Sequence, residues 1–66
     1  MNILLNGSAH ECPDGTTLAR LLADNGYAQR RIAVEVNRDI IPRSAHDTTA
    51  LKAGDQVEIV HAIGGG

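Results

Sequence analysis

The sequence is nearly free of aromatic side chains: tyrosine occurs once, at Tyr27, and phenylalanine and tryptophan are absent. Any core must therefore be built from Ile, Leu, Val and Ala, which supply most of the 42% of residues that are hydrophobic. Nucleic-acid partners need aromatic stacking and clustered basic residues. The chain has six basic and eight acidic residues, and Arg30-Arg31 is its only adjacent basic pair. We therefore expect no nucleic-acid partner.

Cysteine and long apolar runs are also scarce. Cys12, the single cysteine, cannot form the intramolecular disulfides that reinforce small secreted domains. No apolar run approaches the roughly 20 residues of a membrane-spanning helix, and no charged leader precedes an apolar segment. The 66 residues predict one small domain of marginal stability. We expect a cytoplasmic protein without a membrane partner, monomeric when free.

The start of the chain carries a strong hairpin signal. Residues 2–5 are predicted to form a short apolar strand, and Asn6-Gly7 follows it directly. Both central residues of a type I′ turn need positive φ, which Asn and Gly tolerate best. Residues 8–12 are therefore predicted to return as the second strand, which Pro13-Asp14-Gly15 ends.

A short helix is predicted over residues 18–24. Thr17 precedes it as the N-cap, and Gly26 lies just past its end, where a left-handed residue stops a helix. Its leucines recur at the i, i+3 and i+4 spacing of one apolar face: Leu18, Leu21 and Leu22. Two helical turns are not stable alone, so the helix must pack on a sheet.

The second half is predicted to add three strands and one loop. Residues 32–36 alternate in hydrophobicity, as in a strand with one buried face. A turn over 37–39 leads to a short strand at 40–41, and the polar segment 43–50 is predicted as a loop with one helical turn. Residues 56–62 form the last strand. A hairpin, a helix and further strands predict an α+β layer fold.

Parallel pairing of the first and last strands gives the β-grasp arrangement. We predict a mixed sheet of four to five strands packed on one helix. Residues 1–62 form the predicted β-grasp domain, and residues 63–66 a flexible tail.

The tail consists of glycine at its last three positions: Gly64, Gly65 and Gly66. Without Cβ atoms, such a segment can enter a channel that side chains would block. Ordering each glycine costs roughly 1–2 kcal/mol of backbone entropy, so most affinity for a partner must come from the folded body. Such a tail is typical of a protein whose terminal carboxylate is a substrate, but a frayed glycine-rich end without a role has the same composition, so the rest of the chain must decide between them.

A docking surface is predicted on the sheet face opposite the helix. Strand parity places three apolar residues there: Leu4, Val60 and Ala62. Exposed apolar patches mark sites of protein–protein contact. Arg43 and Glu58 are candidate charges at the rim of this patch.

No metal site is predicted. His10, Cys12 and His61 are dispersed, and three ligands without a fourth do not make a structural zinc site. Cys12 has no neighbouring Lys or Arg that would activate its thiol, so we interpret it as a passive, partly buried side chain.

The chain resembles the ThiS family of sulfur carriers, which are ubiquitin-like β-grasp proteins of thiamine biosynthesis. The similarity covers essentially the whole chain and ends in the glycine tail, where Gly64 precedes the two glycines of the family pattern. It rests on the order and spacing of these segments: Met1-Asn2-Ile3-Leu4-Leu5-Asn6-Gly7, Pro13-Asp14-Gly15-Thr16-Thr17-Leu18, Val34-Glu35-Val36-Asn37, Ile40-Ile41-Pro42-Arg43 and Leu51-Lys52-Ala53-Gly54-Asp55-Gln56-Val57-Glu58-Ile59-Val60.

The resemblance implies a protein cosubstrate without catalytic residues of its own. A ThiF-like enzyme would use ATP and Mg²⁺ to adenylate the Gly66 carboxylate. A sulfur donor protein would replace AMP to leave a thiocarboxylate, and a ThiG-like thiazole synthase would receive the sulfur. The chain itself lacks the Gly-x-x-x-x-Gly-Lys loop that cradles ATP phosphates, and no cofactor is expected to bind to it.

Three other functions share the same sequence features. The first is sulfur carriage as the small subunit of a molybdopterin synthase, a usually longer family with aromatic residues that this chain lacks. The second is a ubiquitin-like modifier joined to lysines of other proteins through Gly66. Lys52 is its only lysine, so it could hardly form polymeric chains on itself. The third is a non-covalent β-grasp interaction module.

Overall fold

The computed structural model describes residues 1–61 and contains five strands, one α-helix and one 3₁₀ turn. Predictions for residues 62–66, including the flexible tail, lie outside the described residues. In chain order the elements are β1 (Asn2–Leu5), β2 (Ser8–Glu11), α1 (Leu18–Asp24), β3 (Ile32–Val36), β4 (Asp39–Ile40), the 3₁₀ turn (Arg43–Ala45) and β5 (Gln56–His61).

The strands form one mixed sheet in the order β2-β1-β5-β3-β4. The first and last strands are adjacent and parallel, with Leu4 beside Gln56, and the other neighbours are antiparallel. This pairing confirms the predicted β-grasp sheet with one helix. It places β5, the strand that leads to residues 62–66, at the centre of the sheet.

Two turns with positive φ set the register of the two hairpins. Asn6 has φ 50° and Gly7 has φ 84°, so the first turn has the predicted conformation. The second turn contains Asn37 at φ 53° and Arg38 at φ 72°. Because it has two residues rather than the predicted three, β4 starts at Asp39, one residue earlier than predicted.

Helix α1 is capped as the sequence predicts. The Thr17 hydroxyl accepts a hydrogen bond from the Arg20 N–H at 3.2 Å. At the other end Asn25 is the C-cap, and Gly26 has φ 83°. The loop after β4 completes the first turn, because the Leu18 N–H donates to the Thr49 carbonyl at 2.8 Å and the Ala19 N–H to the His46 carbonyl at 3.0 Å.

The core lies between α1 and one face of the sheet, and it is aliphatic apart from Cys12. The helix contributes the three leucines of its predicted apolar face, of which Leu18 is fully buried. The remaining buried hydrophobic residues come from β1, β3 and β5, from the position directly after β2 and from the loop before β5: Ile3, Cys12, Val34, Val36, Leu51, Val57 and Ile59. No helix within residues 1–61 is long and apolar enough to cross a membrane.

Candidate docking face and tail exit

The sheet has a second face, which points away from α1 and which we call the open face. Its residues alternate with the core residues along each strand. They are Asn2, Leu4, Ala9, Glu11, Ala33, Glu35, Ile40, Gln56, Glu58 and Val60.

The exposed large hydrophobic residues of the described chain all lie on the open face. Leu4 is 38% exposed and Val60 is 57% exposed, in the positions that strand parity predicts. Ala62 lies outside the described residues. Ile40, 73% exposed, also belongs to this face and was not among the predicted residues. The shift of β4 by one residue explains the omission, since it places Ile40 opposite Glu35.

Two glutamates lie between the apolar residues of the open face. Glu35 on β3 is directly opposite Glu58 on β5, and Val60 is opposite Ala33. Leu4 lies beside Gln56, four residues before Val60 on β5, which corresponds to roughly 13 Å along a strand. Leu4 and Val60 therefore occupy different ends of the open face, with acidic side chains between them.

The candidate rim charges do not surround the apolar residues as predicted. Glu58 lies inside the open face, because it follows Val57 and precedes Ile59, which both point into the core. Arg43 lies on the helix side of the sheet, where it lines a cleft together with Ala19 of α1. The loop after β4 passes over the helix side, and this path is not visible in the sequence pattern.

The outer half of β5 is held by Asn6, immediately after β1 ends. The Asn6 N–H donates to the Val57 carbonyl at 2.8 Å, and the Asn6 side-chain oxygen accepts from the Ile59 N–H at 2.7 Å. On the other side of the strand, His61 pairs with Ile32. The His61 ring is also 6.0 Å from the Tyr27 ring, measured between centroids. These contacts fix the strand from which residues 62–66 continue.

Three arginines gather at this end of the sheet, and we call Arg30, Arg31 and Arg43 the exit rim. Arg31 directly precedes Ile32, the residue that pairs with His61. The Arg43 guanidinium donates through Nη2 to the Arg30 carbonyl at 2.9 Å, which joins the loop after β4 to the start of β3. All three arginines are exposed. Of the three, Arg43 lines a cleft of about 240 Å³, together with Tyr27 and Ile32.

The candidate metal ligands are not brought together. Cys12 is buried in the core, more completely than predicted, while His10 lies on β2 opposite Ile3 and His61 ends the central strand β5. Within residues 1–61, no group of three or more His, Cys, Asp or Glu side chains is arranged to hold a metal ion. The buried His46 has a structural contact, since its Nε2 lies 3.0 Å from the Ile41 carbonyl.

The carboxyl-terminal site, comprising Gly66 and the preceding Gly64 and Gly65, lies outside the described residues. The strand that leads to this site, β5, is described. It is hydrogen-bonded on both sides up to Ile59 and to β3 as far as His61. The geometry therefore combines an open sheet face, a firmly held last strand and a basic rim at the point where residues 62–66 continue.

Comparison with known proteins identifies relatives of the whole chain. The family model described as "ThiS family" matches residues 3–66. A thiazole synthase of Magnetococcus marinus is 44% identical over all 66 residues, and one of Paramagnetospirillum magneticum is 38% identical. The chain spans about a fifth of the length of these two relatives, 20% in each case. The sulfur carrier protein ThiS of Escherichia coli is 33% identical, with full coverage of both chains.

A solved structure agrees with the family match. The crystal structure of the thiamine biosynthesis protein ThiS from Geobacter metallireducens superimposes with a TM-score of 0.88 at 33% identity, covering all of both chains. A solution structure of a thiamine biosynthesis protein from the same organism gives a TM-score of 0.77 at 35% identity, covering 88% of that chain. Sequence and fold thus lead to one assignment: the chain belongs to the ThiS family, the family of the Escherichia coli sulfur carrier protein.

Proposed function

We propose that this chain carries sulfur for the thiazole of thiamine as a thiocarboxylate on Gly66. The observation that carries the proposal is family membership over residues 3–66, a span that includes the three terminal glycines. Two relatives that contain the equivalent of this entire chain are thiazole synthases. Their single-chain arrangement supports a ThiG-like thiazole synthase as the acceptor of the sulfur.

The chemistry explains why the carrier needs a separate activating enzyme. A terminal carboxyl group with a reference pKa of about 3.3–3.7 is ionised at neutral pH, and the anion is a poor electrophile. A ThiF-like enzyme with ATP and Mg²⁺ would join a carboxylate oxygen to the α-phosphate and release pyrophosphate. Hydrosulfide released by a donor protein would then attack the carbonyl carbon, AMP would leave with the bonding electron pair, and the sulfur would lose its proton. The product is a thiocarboxylate, a soft nucleophile.

The folded body serves as the recognition element in this proposal. Ordering three glycines in a partner's channel costs roughly 3–6 kcal/mol of backbone entropy, which contacts elsewhere must offset. The open face offers Leu4, Ile40 and Val60 for such contacts, and all three are exposed. We therefore assign partner docking to the open face and the reacting carbon to Gly66. Because activation consumes ATP, we place the carrier in the cytoplasm, as a monomer between encounters.

Intact-protein mass spectrometry tests the proposal. When the chain is expressed in a bacterium under thiamine starvation, a fraction is expected to be heavier by the difference between one sulfur and one oxygen atom. A variant without Gly66 is the control: it should fold and dock normally but carry no sulfur and fail to support thiazole formation.

The alternatives give different results in the same experiment. Isopeptide adducts of higher mass would indicate a modifier, and an unmodified terminus would indicate a non-covalent module. A thiocarboxylate that supports molybdopterin rather than thiazole formation would redirect the carrier to that pathway. Growth without added thiazole by the variant lacking Gly66 would contradict the proposed role of the terminal carboxylate.

A further inference from the structure

The exit rim concentrates half of the basic residues of an otherwise acidic chain at one end of the sheet. The whole chain has six basic residues and a net charge of −2, yet Arg30, Arg31 and Arg43 lie together beside the end of β5. The other three basic residues lie elsewhere. Arg20 is on α1, Arg38 is in the turn between β3 and β4, and Lys52 precedes β5.

Within residues 1–61, no carboxylate forms an ion pair with an arginine of the exit rim. The ion pairs of this part of the chain join Arg20 to Asp24 and the Met1 amino group to Asp14. Asp47 lines the same cleft as Arg43 but forms no ion pair with it. Arg43 is held in place by its bond to the Arg30 carbonyl, so part of the entropy cost of fixing its long side chain is met before a partner arrives.

We propose that the exit rim docks on an acidic surface of the thiazole synthase, at the opening that admits Gly66. This inference rests on the proposed function and adds the charge of the partner surface. Guanidinium groups bind carboxylates through paired, charge-assisted hydrogen bonds. Charges at the end of β5 also orient the carrier during diffusion, so that this end of the sheet meets the synthase at first contact. We choose the synthase as the partner because two thiazole synthases contain the equivalent of this whole carrier within one chain.

A pair of charge-matched variants tests the proposal. The exit-rim variant carries Arg30→Glu and Arg31→Glu, which leaves the hydrogen bond donated by Arg43 to a backbone carbonyl intact. The control variant carries Arg38→Glu and Lys52→Glu. Both replaced side chains of the control are exposed and lie at the opposite end of the sheet, near the start of β5. Each variant changes the net charge by −4, from −2 to −6.

The measurement is the association rate constant of each carrier with the separately purified synthase of the source organism, at several salt concentrations. The exit-rim variant is expected to associate about tenfold more slowly at low salt, with a weaker salt dependence. The control variant should stay within about twofold of the unchanged chain. Thermal unfolding of all three proteins checks that the fold is retained, and Arg31→Gln alone should give an intermediate rate if the double variant is unstable.

Equal rates for both variants, whether slowed or not, would overturn the inference, because the effect would then be absent or due to net charge alone. Slower adenylation with unchanged synthase binding would also overturn it and assign the rim to the activating enzyme. In both cases the sulfur-carrier proposal survives. Failure of the unchanged chain to bind the synthase at all would contradict the assigned partner and this inference together, whereas the mass of the carrier tests the proposed function independently.

Discussion

The side-chain oxygen of Asn6 accepts a hydrogen bond from the backbone N–H of Ile59 at 2.7 Å, across 53 positions of the chain. The bond extends the parallel β1–β5 pairing beyond the last residue of β1, Leu5. Asn6 also has φ 50°, a conformation that asparagine tolerates better than most residues. One residue therefore turns the first hairpin and holds the strand that leads to the carboxyl-terminal residues.

Replacement of Asn6 by glycine should lower the free energy of unfolding by about 1–2 kcal/mol, because glycine keeps the turn but leaves the Ile59 N–H without its acceptor. Asn6→Asp is the matched control, since it retains an oxygen in the same place. Urea denaturation compares the two variants. A stability of Asn6→Gly equal to that of Asn6→Asp would show that the bond across β1 and β5 is unimportant.

Replacement of Glu58 by lysine should stabilise the fold, because Glu58 lies directly opposite Glu35 and like charges in opposed positions repel. We expect a gain of roughly 0.2–1 kcal/mol that decreases as salt is added. Glu11→Lys is the control on the same face, because Glu11 is opposite the uncharged Asn2. Chemical denaturation at low and high salt measures both variants, and an equal gain for Glu11→Lys would contradict a pairwise effect.

Replacement of Arg38 by glycine should also stabilise the protein. Arg38 has φ 72°, and the other described residues with positive φ are asparagines or glycines. Relief of the Cβ clash favours glycine by roughly 1–2 kcal/mol, and the greater freedom of glycine in the unfolded chain offsets part of this, leaving about 0.5–1 kcal/mol. Arg38→Ala should give no such gain, because alanine keeps the Cβ. A shift in urea midpoint for alanine equal to that for glycine would argue against backbone strain.

The same substitution on the two faces of β5 should separate docking from stability. Val60→Thr keeps a β-branched side chain on the open face, so the free energy of unfolding should change by less than about 0.5 kcal/mol. Synthase binding should weaken by about tenfold, since a hydroxyl would enter the contact. Val57→Thr places that hydroxyl in the core, where Val57 is 1% exposed, and should destabilise by about 1–3 kcal/mol.

Calorimetric titration with the synthase and denaturation of each carrier provide the two readouts for this pair. Unchanged binding by Val60→Thr would contradict the role of the open face around Val60. It would leave the exit rim and the Gly66 chemistry unaffected, because neither depends on a contact made by Val60.

Features that depend on neighbouring residues were predictable from sequence. The Asn6-Gly7 turn, the Thr17 cap and the stop at Gly26 each follow from the backbone preferences of one or two residues. Alternation along β3 and β5 was likewise sufficient to assign Val34, Val57 and their neighbours to the core face. The two-residue turn at Asn37-Arg38 was missed because arginine rarely adopts positive φ, and the shift of β4 hid the exposure of Ile40.

The sequence by itself determined the strand and helix order, the aliphatic core and the family resemblance, because each depends on spacing along the chain. Only the tertiary structure decided which residues from distant segments meet. The opposition of Glu35 and Glu58, the bond between Asn6 and Ile59, and the gathering of the exit rim all depend on strand register and on the path of the loop after β4. Turn geometry sets the register within each hairpin, but β5 pairs with β1 and β3 across long stretches of chain, so this pairing depends on packing over the whole sheet.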